Sequence, residues 1–176
     1  MPEQRGRQHH RERVGETLKE EIGVIIEGDK PGGDTSFIGG GIDDVLRTPQ
    51  VDGAMETIAR LVTLFDGQVW LVSKVGARME QKTRLWLADR RFALRTGVAE
   101  HHFRFCRQRP EKADHARELG LTHFVDDRAD VLEHLRGLVP HLFLFGPESA
   151  AAPEWTVPTP DWTAAERAIR ATFTSE

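Results

Sequence analysis

Short apolar runs recur along the chain with helix-patterned stretches between them, and this alternation limits the possible folds more than any other feature. The runs are IGVII (22 to 26), QVWLV (68 to 72), HFRFC (102 to 106), THFV (122 to 125) and HLFLF (141 to 145). Between them, residues 51 to 65 set Ala54, Ile58, Leu61, Val62 and Phe65 on one helical stripe, and residues 77 to 91 place Leu85 and Trp86 beside Lys82 and Arg90. The stretches 110 to 119 and 129 to 138 are shorter and more charged. Pro110 suits the first turn of its helix, where a missing N–H costs nothing. Runs apolar enough for burial on both faces, joined by helices, predict a mainly parallel sheet of about five strands between helix layers. The expected fold is a three-layer, Rossmann-like α/β architecture.

Two segments fall outside the alternation. Residues 30 to 50, KPGGDTSFIGGGIDDVLRTPQ, hold five glycines and two prolines, which predicts a loop or flap. The proline- and alanine-rich stretch from residue 148 reads as a linker into a helix at 162 to 173, with Trp155 and Trp162 pinning it to the domain. Arg5, Arg7, Arg11 and Arg13 make residues 1 to 20 a solvated basic tail. The expected organisation is a disordered tail at 1 to 20, a domain at 21 to 147, and the linker and helix at 148 to 176. No internal repeat is visible.

With 176 residues the chain has room for one domain with a real core. Hydrophobic residues make up 39% and charged residues 30%, as in soluble proteins, and no stretch approaches the roughly 20 apolar residues that span a bilayer. The charged start lacks the apolar core of a secretory signal, so the expected location is the cytoplasm. A net charge of −4 argues against a broad nucleic-acid surface. The single cysteine, Cys106, excludes an internal disulfide and a cysteine-based metal cluster, and its place in HFRFC predicts a buried thiol. The eight histidines show no ligand spacing.

In a parallel α/β sheet, ligands bind beyond the carboxyl ends of the strands. After the first run come Glu27 and Asp29; after the second, Ser73 and Lys74; near the start of the third helix, Lys112; after the fourth run, Asp126, Asp127 and Arg128. Acids, a hydroxyl and a lysine facing one crevice are what phosphoryl chemistry requires. The hydroxyl and ammonium hold phosphate oxygens, while carboxylates hold a divalent cation that screens an attacking carboxylate from the phosphate. Mg2+ prefers carboxylate oxygens, so Asp126 and Asp127 suit it better than any histidine here. Each signal has a plainer reading on its own. Glu27 and Asp29 resemble a solvated turn, Ser73 a helix cap, Lys112 a surface lysine, and Asp126–Asp127 a pair compensated by Arg128.

Taken in order, the residues resemble the four motifs of the haloacid dehalogenase (HAD) superfamily over roughly residues 22 to 146. The carriers are the first acidic pair, Ser73 after VWLV, Lys112 in RPEKA, and the strand end THFVDDRADVL. The resemblance implies a Rossmann-like core and Mg2+-dependent phosphatase chemistry. It makes Ser73 and Lys112 the phosphoryl-binding pair and Asp126, with Asp127 beside it and Glu27 opposite, the metal ligands. Response-regulator receivers use similar groups, but their acidic pair lies near the N-terminus and here it comes late. The first motif departs from the family's Asp-x-Asp in one of two registers. In the preferred one, Glu27 stands for the nucleophile and Asp29 for the general acid and base; in the other, Ile25 and Glu27 take those places. A glutamate is one methylene too long, and a misplacement of about 1 Å can cost on the order of 10^2 in rate.

Neither gap between the motifs has room for a full cap domain, so the site is open to bulky substrates or is closed by the 30 to 50 loop or a second subunit. The leading expectation is a capless HAD-like phosphatase acting on a small phosphorylated metabolite, a nucleotide or another phosphomonoester. The rival is a HAD-like binding or scaffold module that keeps the metal and phosphate pocket without turnover.

Overall fold

The computed structural model describes residues 41–174. Among these, the fold is mixed α/β with parallel strands in two small sheets. In chain order the elements are α1 (Ile42–Arg47), α2 (Ala54–Leu64), β1 (Leu71–Lys74), α3 (Ala77–Asp89), α4 (Phe92–Thr96), β2 (Phe103–Cys106), α5 (Glu111–Leu119), β3 (His123–Asp126), α6 (Ala129–Leu135), β4 (His141–Phe145), β5 (Val157–Thr159) and α7 (Trp162–Ala171). β1 pairs with β2 in parallel, Ser73 opposite Phe105. β3 pairs with β4, Asp126 opposite Leu144, and β4 with β5. The expected strand at 22 to 26 and the basic tail at 1 to 20 lie outside the described residues. No helix among the described residues is long and apolar enough to cross a membrane.

Strand alternation sorts the side chains into separate cores, because successive residues point to opposite faces. Leu71, Val75 and Phe145 join α1, α2, α3 and α7 through Val45, Met55, Trp86 and Trp162. Val72, Phe124, Leu142 and Leu144 pack instead against α5 and α6 through Ala113, Ala116, Leu132 and Leu135. Cys106 is a buried thiol within the core, as its apolar run implied.

Two segments differ from the expectation. Within the glycine-rich stretch read as a loop, residues 42–47 form α1. The Gly41 N–H donates to the Asp44 carboxylate at 3.0 Å, and Asp43 and Asp44 oppose the positive end of the helix. Its last carbonyls find donors on α3 and just beyond: Trp86 Nε1 donates to Thr48 O at 2.9 Å, and Arg90 Nη2 to Leu46 O at 2.9 Å and Thr48 O at 2.8 Å. Tertiary hydrogen bonds and burial of Val45 thus outweigh the weak local signal.

The expected linker contains β5. Pro158 lacks an N–H and is tolerated because, among the described strands, β5 ends its sheet. Thr159 Oγ1 donates to Leu144 O at 2.9 Å, and Gly146 N–H donates to Thr159 O at 3.0 Å. Both tail tryptophans pack on the domain as expected. Trp162 lies against Phe145 with ring centroids 4.9 Å apart, and Trp155 lies under the Arg136 guanidinium at 5.3 Å.

Candidate functional site

β1 ends in Ser73 and Lys74; the buried Val75 still donates its N–H to Cys106 O at 3.0 Å, and Gly76 in extended conformation then starts α3. Ser73 is fully buried, and its carbonyl accepts a weak hydrogen bond from Cys106 Sγ at 3.6 Å across the β1–β2 pair. Lys74, half-buried, closes the strand.

The loop from β2 into α5 is held from both sides. Glu111 accepts the backbone N–H groups of Arg107 and Gln108 at 2.7 and 3.1 Å. These N–H donors hold the Glu111 carboxyl below its ordinary range. The Arg107 guanidinium reaches back to Val75 O at 2.6 Å and to Glu80 at 2.7 Å. The loops that follow β1 and β2 are therefore tied together, and Lys112 enters the first turn of α5 from a braced backbone.

Lys112 then turns inward. Its Nζ donates to Asp126 Oδ2 at 2.9 Å, with each side chain only 1% exposed. Asp126 is the last residue of β3, and its other oxygen accepts the Arg128 N–H at 3.1 Å. Burial pushes the Asp126 carboxyl above its ordinary range, while the Lys112 ammonium and the Arg128 N–H oppose the shift. Asp127 is also buried. The Arg128 guanidinium, read from sequence as a neutraliser of the aspartate pair, grips Asp130 at 2.8 and 2.9 Å. This contact holds the Asp130 carboxyl low.

The fold therefore brings Lys112 and Asp126 into direct contact, sets Asp127 beside them, and puts Ser73 at the end of β1. Glu27, Asp29 and Ile25 lie outside the described residues, so the two registers of the first motif do too. Carboxylate oxygens at a strand end have the right chemistry for a hard cation such as Mg2+. Among the described residues, no group of three or more His, Cys, Asp or Glu side chains is arranged to hold a metal ion.

Sequence reasoning missed the Lys112–Asp126 pair itself, having assigned the two residues to phosphate and metal. It also missed the Arg107 brace. Half of that brace was legible, since Glu80 and Arg84 sit four apart on α3 and pair at 2.9 Å. No local pattern pointed to Arg107. No family model matches the chain, and no curated protein or solved structure matches it significantly.

Proposed function

We propose that the chain is a capless HAD-like phosphatase of the cytoplasm that hydrolyses a small phosphomonoester with Mg2+, its strands forming one Rossmann-like sheet between helix layers. The observation that carries this reading is the buried Lys112–Asp126 pair at the carboxyl ends of the strands. A protein seldom buries an ammonium and a carboxylate for stability alone, because desolvation offsets most of their attraction. Strongly perturbed groups in such a place mark candidate chemistry.

In this reading the Ser73 hydroxyl and the Lys112 ammonium hold the non-bridging phosphate oxygens. A carboxylate oxygen of Glu27 attacks phosphorus, the ester P–O bond breaks, and Asp29 gives its proton to the departing alkoxide. Asp29 then takes a proton from water as that water attacks the acyl phosphate, which releases inorganic phosphate and restores Glu27. Asp126, Asp127 and Glu27 would hold Mg2+, whose charge screens the repulsion between phosphate and carboxylate.

The test is hydrolysis of p-nitrophenyl phosphate and a nucleotide panel by the full chain, with Mg2+ and with chelator. Hydrolysis should require Mg2+, and Asp29→Asn should cut kcat by about 10^2 to 10^4. Glu27→Asp should raise kcat on the order of 10^2 by restoring the shorter reach. If no substrate turns over and Asp29→Asn changes nothing, the enzyme reading is sunk. A binding module is the second reading, favoured because the Lys112 ammonium already stands against the Asp126 carboxyl where a metal ion would otherwise be needed. Mg2+ or phosphate would then raise the melting temperature through linkage without turnover.

A further inference from the structure

Val75 marks the point where β1 and β2 part. Its N–H still takes the Cys106 carbonyl at 3.0 Å, but its own carbonyl lies past the last pair of the ladder, in a residue 2% exposed. A buried carbonyl in that place needs a donor. The Arg107 guanidinium supplies it from the chain leaving β2, with Nη1 2.6 Å from Val75 O.

The other arm of the same guanidinium is anchored on α3. Arg107 Nη2 donates to Glu80 Oε2 at 2.7 Å, and Arg84 donates to Oε1 through Nε at 3.1 Å and Nη2 at 2.9 Å. Arg84 is itself laid over the Phe105 ring of β2, 4.4 Å from its centroid. With one oxygen already held by Arg84, Glu80 has little side-chain freedom left to lose when Arg107 binds the other. Arg107, with Arg84 after it, holds the Glu80 carboxyl below its ordinary range, so the anchor stays charged at neutral pH.

From the backbone of Arg107 the contacts run on to Lys112. The N–H groups of Arg107 and Gln108 both donate to Glu111 Oε2, at 2.7 and 3.1 Å, and the Lys112 N–H donates to Arg109 O at 3.0 Å. Ser73 lies two residues before Val75, and Lys112 follows Glu111 directly. Beyond the end of the ladder, the loops carrying the hydroxyl and the ammonium are therefore joined through this one guanidinium. Fold stability explains the contact poorly. The Arg107 side chain is 49% exposed, where solvent screens an ion pair, and the β1–β2 ladder holds the two strands without it.

We propose that Arg107 is a positioning residue: it fixes the β2–α5 loop against the exit of β1, and so sets the spacing at which the Ser73 hydroxyl and the Lys112 ammonium grip a phosphoryl group. The proposal rests on the phosphatase reading, which gives those two groups that grip. Arg107 acts through them and not on the reacting atoms. The oxygens they hold are non-bridging and are bound alike before and during P–O cleavage, so a wrong spacing should weaken binding more than it slows chemistry.

Steady-state kinetics with p-nitrophenyl phosphate and calorimetric titration with inorganic phosphate, both on the full chain, test the proposal. Arg107→Ala should raise KM and the phosphate dissociation constant about tenfold each, with kcat changed less than about threefold and the melting temperature lowered by no more than about 4 °C. Added guanidinium ion should restore part of the lost affinity. Glu80→Gln should weaken phosphate binding about threefold in the wild type and not at all in Arg107→Ala. Unchanged KM and phosphate affinity in Arg107→Ala, or a fall in kcat at constant KM, overturns the proposal and leaves the phosphatase reading standing. So does a loss of affinity that guanidinium does not restore and to which Glu80→Gln adds in full. If the wild type binds phosphate without turnover, the dissociation constants alone decide. A wild type that neither binds phosphate nor hydrolyses the ester removes the phosphatase reading and this proposal with it. If Arg107→Ala does not fold, Glu80→Gln decides by the same measurements, and unchanged phosphate affinity there overturns the proposal.

Discussion

Lys112→Met removes one partner of a buried ion pair and keeps the volume and the apolar stem. Both side chains are 1% exposed and 2.9 Å apart, so Asp126 would be left as a buried carboxylate without its ammonium. Breaking such a pair costs about 3–5 kcal/mol, because the remaining charge keeps its desolvation penalty. At about 2–4 °C per kcal/mol for a chain of this size, the melting temperature should fall by roughly 6–20 °C at pH 7. The pH dependence follows from the carboxyl's direction of shift. Asp126 already has a raised pKa in the fold, and losing Lys112 raises it further, so the native state holds a proton that the unfolded state has released. Stability then falls as pH rises through that window, and the cost of Lys112→Met should be smaller at pH 5 than at pH 7. Lys112→Met/Asp126→Asn should recover a large part of the loss, since neither charge remains. Urea unfolding of the four proteins at both pH values completes the cycle. A loss below about 1 kcal/mol, or a double variant as unstable as the summed singles, would refute the assignment of this pair as a buried, coupled unit.

The histidine on β3 should give a second pH effect. Burial, aided by the charge of His141, lowers the His123 pKa to about 4, and its Nε2 lies 2.8 Å from Thr172 Oγ1 just after α7. Between about 4 and the ordinary value the unfolded chain binds the extra proton, so stability should fall as pH drops through that window. The slope should be well under the ~1.4 kcal/mol per pH unit of one full proton, because solvent screens a half-buried ring; an identical slope in His123→Gln would remove this explanation. At the start of α7, Asp161 Oδ1 accepts the Ala164 N–H at 2.7 Å. Asp161→Ala should cost about 1 kcal/mol in thermal unfolding, and Asp161→Asn much less; equal losses would show that the cap is not the cause.

Much of the secondary structure was legible because it rests on periodicity. The stripe through Ala54, Ile58 and Leu61 became α2, and HLFLF became β4 over the same residues. The QVWLV run slid to Leu71–Lys74 because the Val69 carbonyl takes the His102 ring N–H at 2.9 Å instead of joining the ladder. Long-range partners hid the rest. α1 depends on donors from Trp86 and Arg90, roughly forty residues away, and β5 depends on pairing with β4. α4, which follows Arg91 in a left-handed conformation, had no sequence signal at all.

At the candidate site the same division holds. The order of Ser73, Lys112 and Asp126–Asp127 after their apolar runs was a property of the chain alone, because a parallel sheet places residues that follow each strand at one end. That Lys112 would spend its charge on Asp126, and Arg128 on Asp130, was not, since any of the nearby carboxylates was a possible partner for either cation. Residue order was enough to bring these chemical groups to the carboxyl ends of the strands. Which of them meet follows from the packing of the folded chain, because it depends on how two sheets share one pair of cores and how deeply each charge is taken out of water.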